Sequence, residues 1–203
     1  MKEPSKNCSK CSRLKKFRDE NKKKHPLWFN APVPSIFNIK SEVLIVGLAP
    51  GITGANRTGR PFTGDHAGLI LYKTLNKFGF SEGIYKENGY DDLKLYNCSI
   101  TNAVRCVPPK NLPKPEEIKN CGIFLKSTIN SHRNLKLIIS LGLISHKSII
   151  SSFGLKQKDC KFSEIECATL AMKMLSAVNY LHSMEICHRD LKLENFIFTN
   201  KGS

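Results

Sequence analysis

GLAPGITGANRTGRPFTGDHAG, residues 47–68, decides the fold of this 203-residue chain. The four residues before it, Val43-Leu44-Ile45-Val46, have the length and β-branched content of a buried strand. The segment after it, with Leu69, Ile70, Leu71, Leu75 and Phe78, reads as a helix. Strand, glycine-rich loop and helix in succession are how an open α/β sheet offers main-chain N–H groups at the carboxyl end of a strand. Neither phosphate-binding formula is present, for the loop holds no G-x-G-x-x-G and no G-x-x-x-x-G-K-[ST]. An aromatic ring, Phe62, and one carboxylate, Asp65, stand among its glycines instead. A flat ring and a single acid suit a flat heterocycle better than a triphosphate.

Outward from that loop the pattern repeats. Residues 93–104 alternate well enough for a second strand ending at Asn102, and 108–115 form a proline-rich connector. Pro115-Glu116-Glu117 opens a helix to about residue 131, with proline and acids at its N-terminus. Residues 135–141 (LKLIISL) predict a third buried strand, and 143–153 a helix closed by Gly154. Three strand-then-helix units imply an α/β fold with a parallel sheet covered on both faces. Before the first strand, Cys8-x2-Cys11 and a basic run through Lys15, Lys16, Arg18 and Lys22 to Lys24 predict a turn and a short, exposed basic helix. Three prolines, Trp28, Phe29 and Phe37 make 25–38 an ordered loop lying over the domain, and 79–90 a polar surface loop.

The net charge of +15 points to a polyanionic partner such as nucleic acid, although a lysine-rich proteome produces the same bias. No run approaches the ~18 apolar residues of a membrane span. The charged N-terminus lacks the apolar core of a secretory signal, so the chain is expected to be intracellular, cytoplasmic or nuclear. Eight cysteines in such a chain argue for metal or free thiols rather than disulfides. Four form a pattern, Cys8-x2-Cys11 and Cys106-x14-Cys121, which suits four thiolates around a soft metal centre. On that chemistry zinc and an iron–sulfur cluster rank equally. Cys98, Cys160, Cys167 and Cys187 have no such spacing and read as buried small apolar residues.

GLAPG followed by GANRTGRPFTGD resembles the first motif of the family 5 uracil-DNA glycosylases. Family 4 members read GEAPG there, with an acid where this chain has Leu48. TNAVRCVPPKNLPKPEE (101–117) and SLGLISH (140–146) match further family segments in order, and the resemblance covers about residues 7–161. It implies a three-layer α/β/α fold, a monomer, and hydrolysis of the N-glycosidic bond of uracil in DNA. It also implies a [4Fe-4S] cluster on Cys8, Cys11, Cys106 and Cys121, zinc being the alternative. A glycosylase extrudes its base, stacks it and reads its edge. The resemblance places Phe62 as the stacking ring and Asn102 as the reader of the uracil edge. Main-chain N–H groups around Gly47, Ala49 and Gly51 would receive the departing O2. Asp65 would orient water or offset the charged sugar, a role compatible with capping the following helix. Arg57 and Arg60 are expected to touch phosphates, or simply water.

The family's second motif, HPS-like and carried on a fourth strand, is missing, and His146 falls in the wrong unit to replace it. From about residue 162 the chain resembles a different family. Residues 163–182 predict an amphipathic helix, and ICHRDLKLEN (186–195) resembles the catalytic loop of calcium-dependent protein kinases. There Asp190, Lys192 and Asn195 match kinase positions, but no glycine-rich ATP loop precedes them and no D-F-G follows. The resulting expectation is a glycosylase-like domain over 1–161, joined to an inactive kinase-like fragment over 162–203. A non-catalytic iron–sulfur DNA-binding module is the remaining alternative.

Overall fold

The computed structural model describes residues 1–155 and seven further positions, Thr169, Met172, Ser176, Val178, Asn179, Ser183 and Met184. The elements run α1 (Ser12–Lys24), β1 (Val43–Gly47), α2 (Ala55–Thr58), α3 (His66–Lys77), β2 (Ser81–Glu82), β3 (Lys94–Leu95), β4 (Cys98–Asn102), α4 (Pro115–Ser131), β5 (Leu137–Ser140) and α5 (Leu143–Ser152). The apolar run at 43–46 becomes the central strand, paired in parallel with β4 on one side and β5 on the other. Register puts Gly47 beside Asn102 and Val46 beside Ser140. The first two strands therefore end together at one rim.

Alternation along β1 divides the core. Leu44 and Val46, with Ile138 of β5, pack under Leu125 and Ile129 of α4 and Ile149 of α5. Ile45 and Ile100 face the other way, against Tyr72 and Leu75 of α3. Each such buried side chain contributes roughly 1.5–3 kcal/mol, and Leu125→Ala would cost about 2–5 kcal/mol through the cavity left in this layer. A third cluster joins Leu14 of α1 to Phe124 of α4, with Cys106 and Cys121 between them. α4 starts where the chain dictates: Pro115 stands at its first turn, and the Glu117 carboxylate accepts from the Lys114 N–H at 2.7 Å. The 25–38 loop lies over the domain as expected, with Ile36 bridging antiparallel to Ile100 and so covering the free edge of β4.

Several expectations change. The basic helix α1 is not merely a solvated element, since Leu14, Arg18 and Asn21 are buried. The single strand over 93–104 is broken, because Asn97 turns left-handed (φ +50°) and β3 pairs antiparallel with β2 instead. The third strand is not fully buried, for Leu137 and Ile139 are 40 % and 39 % exposed. β5 is the sheet edge among the described residues, and the cluster beneath α3 draws on β1 and β4 but not on β5. The kinase-like positions Asp190, Lys192 and Asn195 lie outside the described residues, as do the join near 161 and most of the helix over 163–182.

Candidate active site

Where β1 and β4 end side by side, the 47–65 loop and the start of α3 enclose a cavity of about 400 Å³. Gly47, Ala49, Gly51, Phe62, Asp65 and Asn102 all line it, so every residue the sequence assigns to substrate shares one chamber. Asn111 and Leu141, which the sequence does not single out, complete the wall.

Gly47 is the floor. A Cβ there would overlap Phe62 Cζ and Asn102 Oδ1, so the aromatic ring and the carboxamide meet over a residue that must lack a side chain. Phe62 itself is left-handed (φ +51°), a strained state for a bulky residue. Its surroundings impose it. The Pro61 carbonyl accepts from the buried Tyr72 hydroxyl at 2.7 Å, and Gly68 sits so close beneath the Phe62 carbonyl that no Cβ fits between them. Asn102 is 3 % exposed, yet among the described residues no hydrogen bond occupies its carboxamide. Such an unengaged amide in a buried wall has both a donor and an acceptor to offer a polar group that enters the cavity.

Asp65 divides its two oxygens. Oδ1 accepts from the Gly68 N–H at 2.9 Å and caps α3, while Oδ2 lies towards Gly51 and Gly54, where a Cβ on Gly51 would stand 3.4 Å away. The cap and a place on the cavity wall coexist. The arginines of the loop are engaged otherwise than expected. Arg60 forks onto Asp91 at 2.6 and 2.7 Å and lies over the Tyr72 and Tyr85 rings, 5.4 and 5.6 Å from their centroids. Hydrogen bonding to that guanidinium holds the Asp91 carboxyl at about 2, well below the usual carboxylate range. Arg57 donates to the Thr53 and Glu87 carbonyls at 2.7 and 3.2 Å. Both residues tie the loop to 83–93; Arg60 pairs its charge with Asp91, whereas Arg57, bound among the described residues through carbonyls alone, keeps N–H donors to spare. His146, on the first turn of α5, is absent from the cavity wall.

Beyond the chamber, Cys8, Cys11, Cys106 and Cys121 gather where α1 meets α4, all as free thiols. Burial, with neighbouring cysteines adding to it, pushes the Cys106 thiol up to about 12 and the Cys121 thiol to about 11. Cys98 is raised by burial alone, with no cysteine beside it. Among the described residues no three His, Cys, Asp or Glu side chains converge on a point fit for a metal ion. The donor chemistry around the sulfurs is nevertheless that of an anionic centre. Arg18, 3 % exposed and without a carboxylate at ion-pair distance among the described residues, donates to Cys106 Sγ and to the Cys8 carbonyl, each at 2.7 Å. Asn120 reaches Cys11 Sγ at 3.6 Å. A buried guanidinium needs counter-charge, and a neutral thiol supplies none. Four thiolates bound to a soft centre would supply it.

A parallel sheet with a ring and an amide meeting at its carboxyl rim defines a chamber for a flat polar base, and the chain belongs to the uracil DNA glycosylase superfamily, whose profile it matches over residues 34–196. It is 39 % identical over 156 residues to the Type-5 uracil-DNA glycosylase of Thermus thermophilus, covering 74 % of this chain and 70 % of that one. The corresponding enzyme of Pyrobaculum aerophilum is 34 % identical over 163 residues, 78 % and 72 % of the two chains. A much shorter likeness, 57 % over 35 residues, links 17 % of this chain to 10 % of a serine/threonine-protein kinase of Arabidopsis thaliana.

Proposed function

We infer that this chain removes uracil from DNA by hydrolysing its N-glycosidic bond, a step of base-excision repair. The observation that carries this reading is the meeting of the Phe62 ring and the unengaged Asn102 carboxamide over Gly47. An extruded uracil stacks on the ring and exchanges hydrogen bonds with the amide, which donates to a carbonyl and accepts from N3–H. Cytosine presents the opposite donor pattern on that edge and leaves the amide mismatched. As the C1′–N1 bond breaks, its electron pair passes to the base and collects on O2. Ala49 and Gly51 line the cavity with N–H groups that no protein acceptor takes among the described residues, and these would receive it. Water then bonds to C1′, oriented by Asp65 Oδ2, which also offsets the positive sugar, and the proton that the water gives up passes through solvent to neutralise the departed uracil anion.

Cys8, Cys11, Cys106 and Cys121 are assigned to a [4Fe-4S] cluster, with zinc as the alternative. When bound, the cluster supplies a cross-link between the N-terminal segment and α4 rather than redox turnover. Arg18 balances the thiolates, and Asn120 and Arg18 orient two of the cysteines. The glycosylase unit is placed within 1–161 and a kinase-like fragment at 162–203, although the superfamily match continues past that boundary to 196. A glycosylase without the HPS-like motif should turn over below an intact relative.

The test is release of free uracil from a duplex carrying one U·G pair, by protein purified without oxygen. Uracil should appear, with alkali-labile strands in equal amount, and no phosphate should pass from ATP to a protein substrate. Failure to release uracil from both single- and double-stranded DNA would discard the hydrolytic reading in favour of a DNA-binding module.

A further inference from the structure

Among the described residues, consecutive side-chain-bearing residues turn left-handed at one place, Lys110 (φ +57°) and Asn111 (φ +56°). L-residues resist this conformation, lysine more than asparagine, so a pair persists only where the surroundings over-determine it. Here they do so from both ends. The Asn111 and Leu112 N–H groups donate to the Pro108 and Pro109 carbonyls, each at 3.2 Å. Arg13 holds the Leu112 carbonyl at 3.2 Å while forking onto Glu117 at 2.8 and 2.6 Å, and Glu117 in turn caps α4. The turn buries no residue of its own, so core packing does not account for its strain.

What the turn does achieve is placement. Asn111 lines the cavity along with Phe62, Asp65 and Asn102, and its carboxamide makes no hydrogen bond among the described residues. Lys110 is exposed beside it with no carboxylate at ion-pair distance among the described residues. We propose that Lys110 and Asn111 form a lip that grips the extruded nucleotide: the Asn111 carboxamide hydrogen-bonds the nucleotide, and the Lys110 ammonium rests on a flanking phosphate. The proposal rests on the DNA-base reading above, but concerns binding rather than bond cleavage.

Glycine takes left-handed angles freely, so Asn111→Gly and Lys110→Gly relieve the strain while removing the side chain. Neither should unfold earlier than the unchanged chain. The probe is a duplex holding one 2′-fluoro-arabino-uridine, which keeps its base but resists hydrolysis, compared with the same duplex unmodified. Fluorescence anisotropy should show Asn111→Gly weakening the fluorinated duplex about three- to tenfold, as for one lost hydrogen bond, with the unmodified duplex unchanged. Lys110→Gly should weaken both alike and reduce the slope of log affinity against log salt by about one. An unaltered affinity for Asn111→Gly, or an unaltered salt slope for Lys110→Gly, strikes that residue from the lip. An unchanged chain that cannot tell the two duplexes apart has no nucleotide to grip and overturns the proposal. Loss of uracil release with discrimination intact would refute hydrolysis and leave the lip standing.

Discussion

Gly47→Ala is the most direct probe of the chamber. The added methyl would overlap both Phe62 Cζ and Asn102 Oδ1 and would stand 2.9 Å from Phe62 Cε2, where ordinary contact begins near 3.4 Å. The last of these alone demands a shift of roughly half an ångström, and the two closer overlaps demand more. Phe62 cannot simply swing away, because its strained backbone is clamped between Pro61 and Gly68. Asn102 cannot retreat along a strand held in parallel register with β1. Overpacking of this kind costs about 1–3 kcal/mol of stability. A ring and an amide displaced by about 1 Å cost on the order of 100-fold in rate. Urea unfolding and single-turnover uracil release measure the two effects on one preparation. Gly122→Ala, in α4 with open space where its Cβ would go, is the control. It should stabilise by up to about 1 kcal/mol through helix propensity and leave the rate alone. A Gly47→Ala protein that releases uracil at the unchanged rate would show that ring and amide do not act together on the base.

Other outcomes can be stated more briefly. Asn102→Ala should lose on the order of 1–3 kcal/mol of discrimination between uracil and cytosine, and equal selectivity in competition assays would remove it from the base-reading role. Protein purified without oxygen should be brown and hold about four irons per chain. Cys106→Ser should lose that iron and Cys98→Ser keep it, whereas stoichiometric zinc without iron would overturn the cluster. Asp91 titrates at about 2 when folded and near 4 when unfolded, so the unfolded chain takes up its proton first as pH falls. The stability that the Arg60–Asp91 pair confers, about 1–2 kcal/mol, is complete above pH ~5 and drains away towards pH 2. Asp91→Asn should flatten that part of the urea-unfolding profile, and an unchanged acid limb would assign the loss to other groups.

Much of this molecule is legible in order along the chain, because its central unit is local. The run at 43–46, the glycine loop and the helix after it declare β1 and α3, and Pro115 with its two acids declares the start of α4. What is not legible is set by contacts distant in sequence. Arg18 reads as one more cation of a solvated run, since nothing nearby announces that Cys106, 88 residues on, will accept its proton. Arg60 reads as a phosphate ligand because Asp91, its partner, stands 31 residues away in an unremarked loop. Phe62 is visible as an aromatic among glycines, but its left-handed backbone depends on Gly68 and Tyr72 closing over it. The shortfall at β5 has the same origin: LKLIISL carries the apolar content of a covered strand, and content alone does not name the element that covers it.

The divided carboxylate of Asp65 narrows the routes by which this loop can diverge. Asparagine keeps an oxygen for the Gly68 N–H and so preserves the start of α3, yet it surrenders the charge that faces the cavity. Glutamate keeps the charge but its longer arm is a poorer fit to the cap, and alanine forfeits both. On the role proposed for Asp65, a lineage drifting away from base excision would pass most readily through asparagine, remaining folded and silent. A relative with asparagine at this position is thus a candidate for a protein that has kept the architecture and laid down the chemistry.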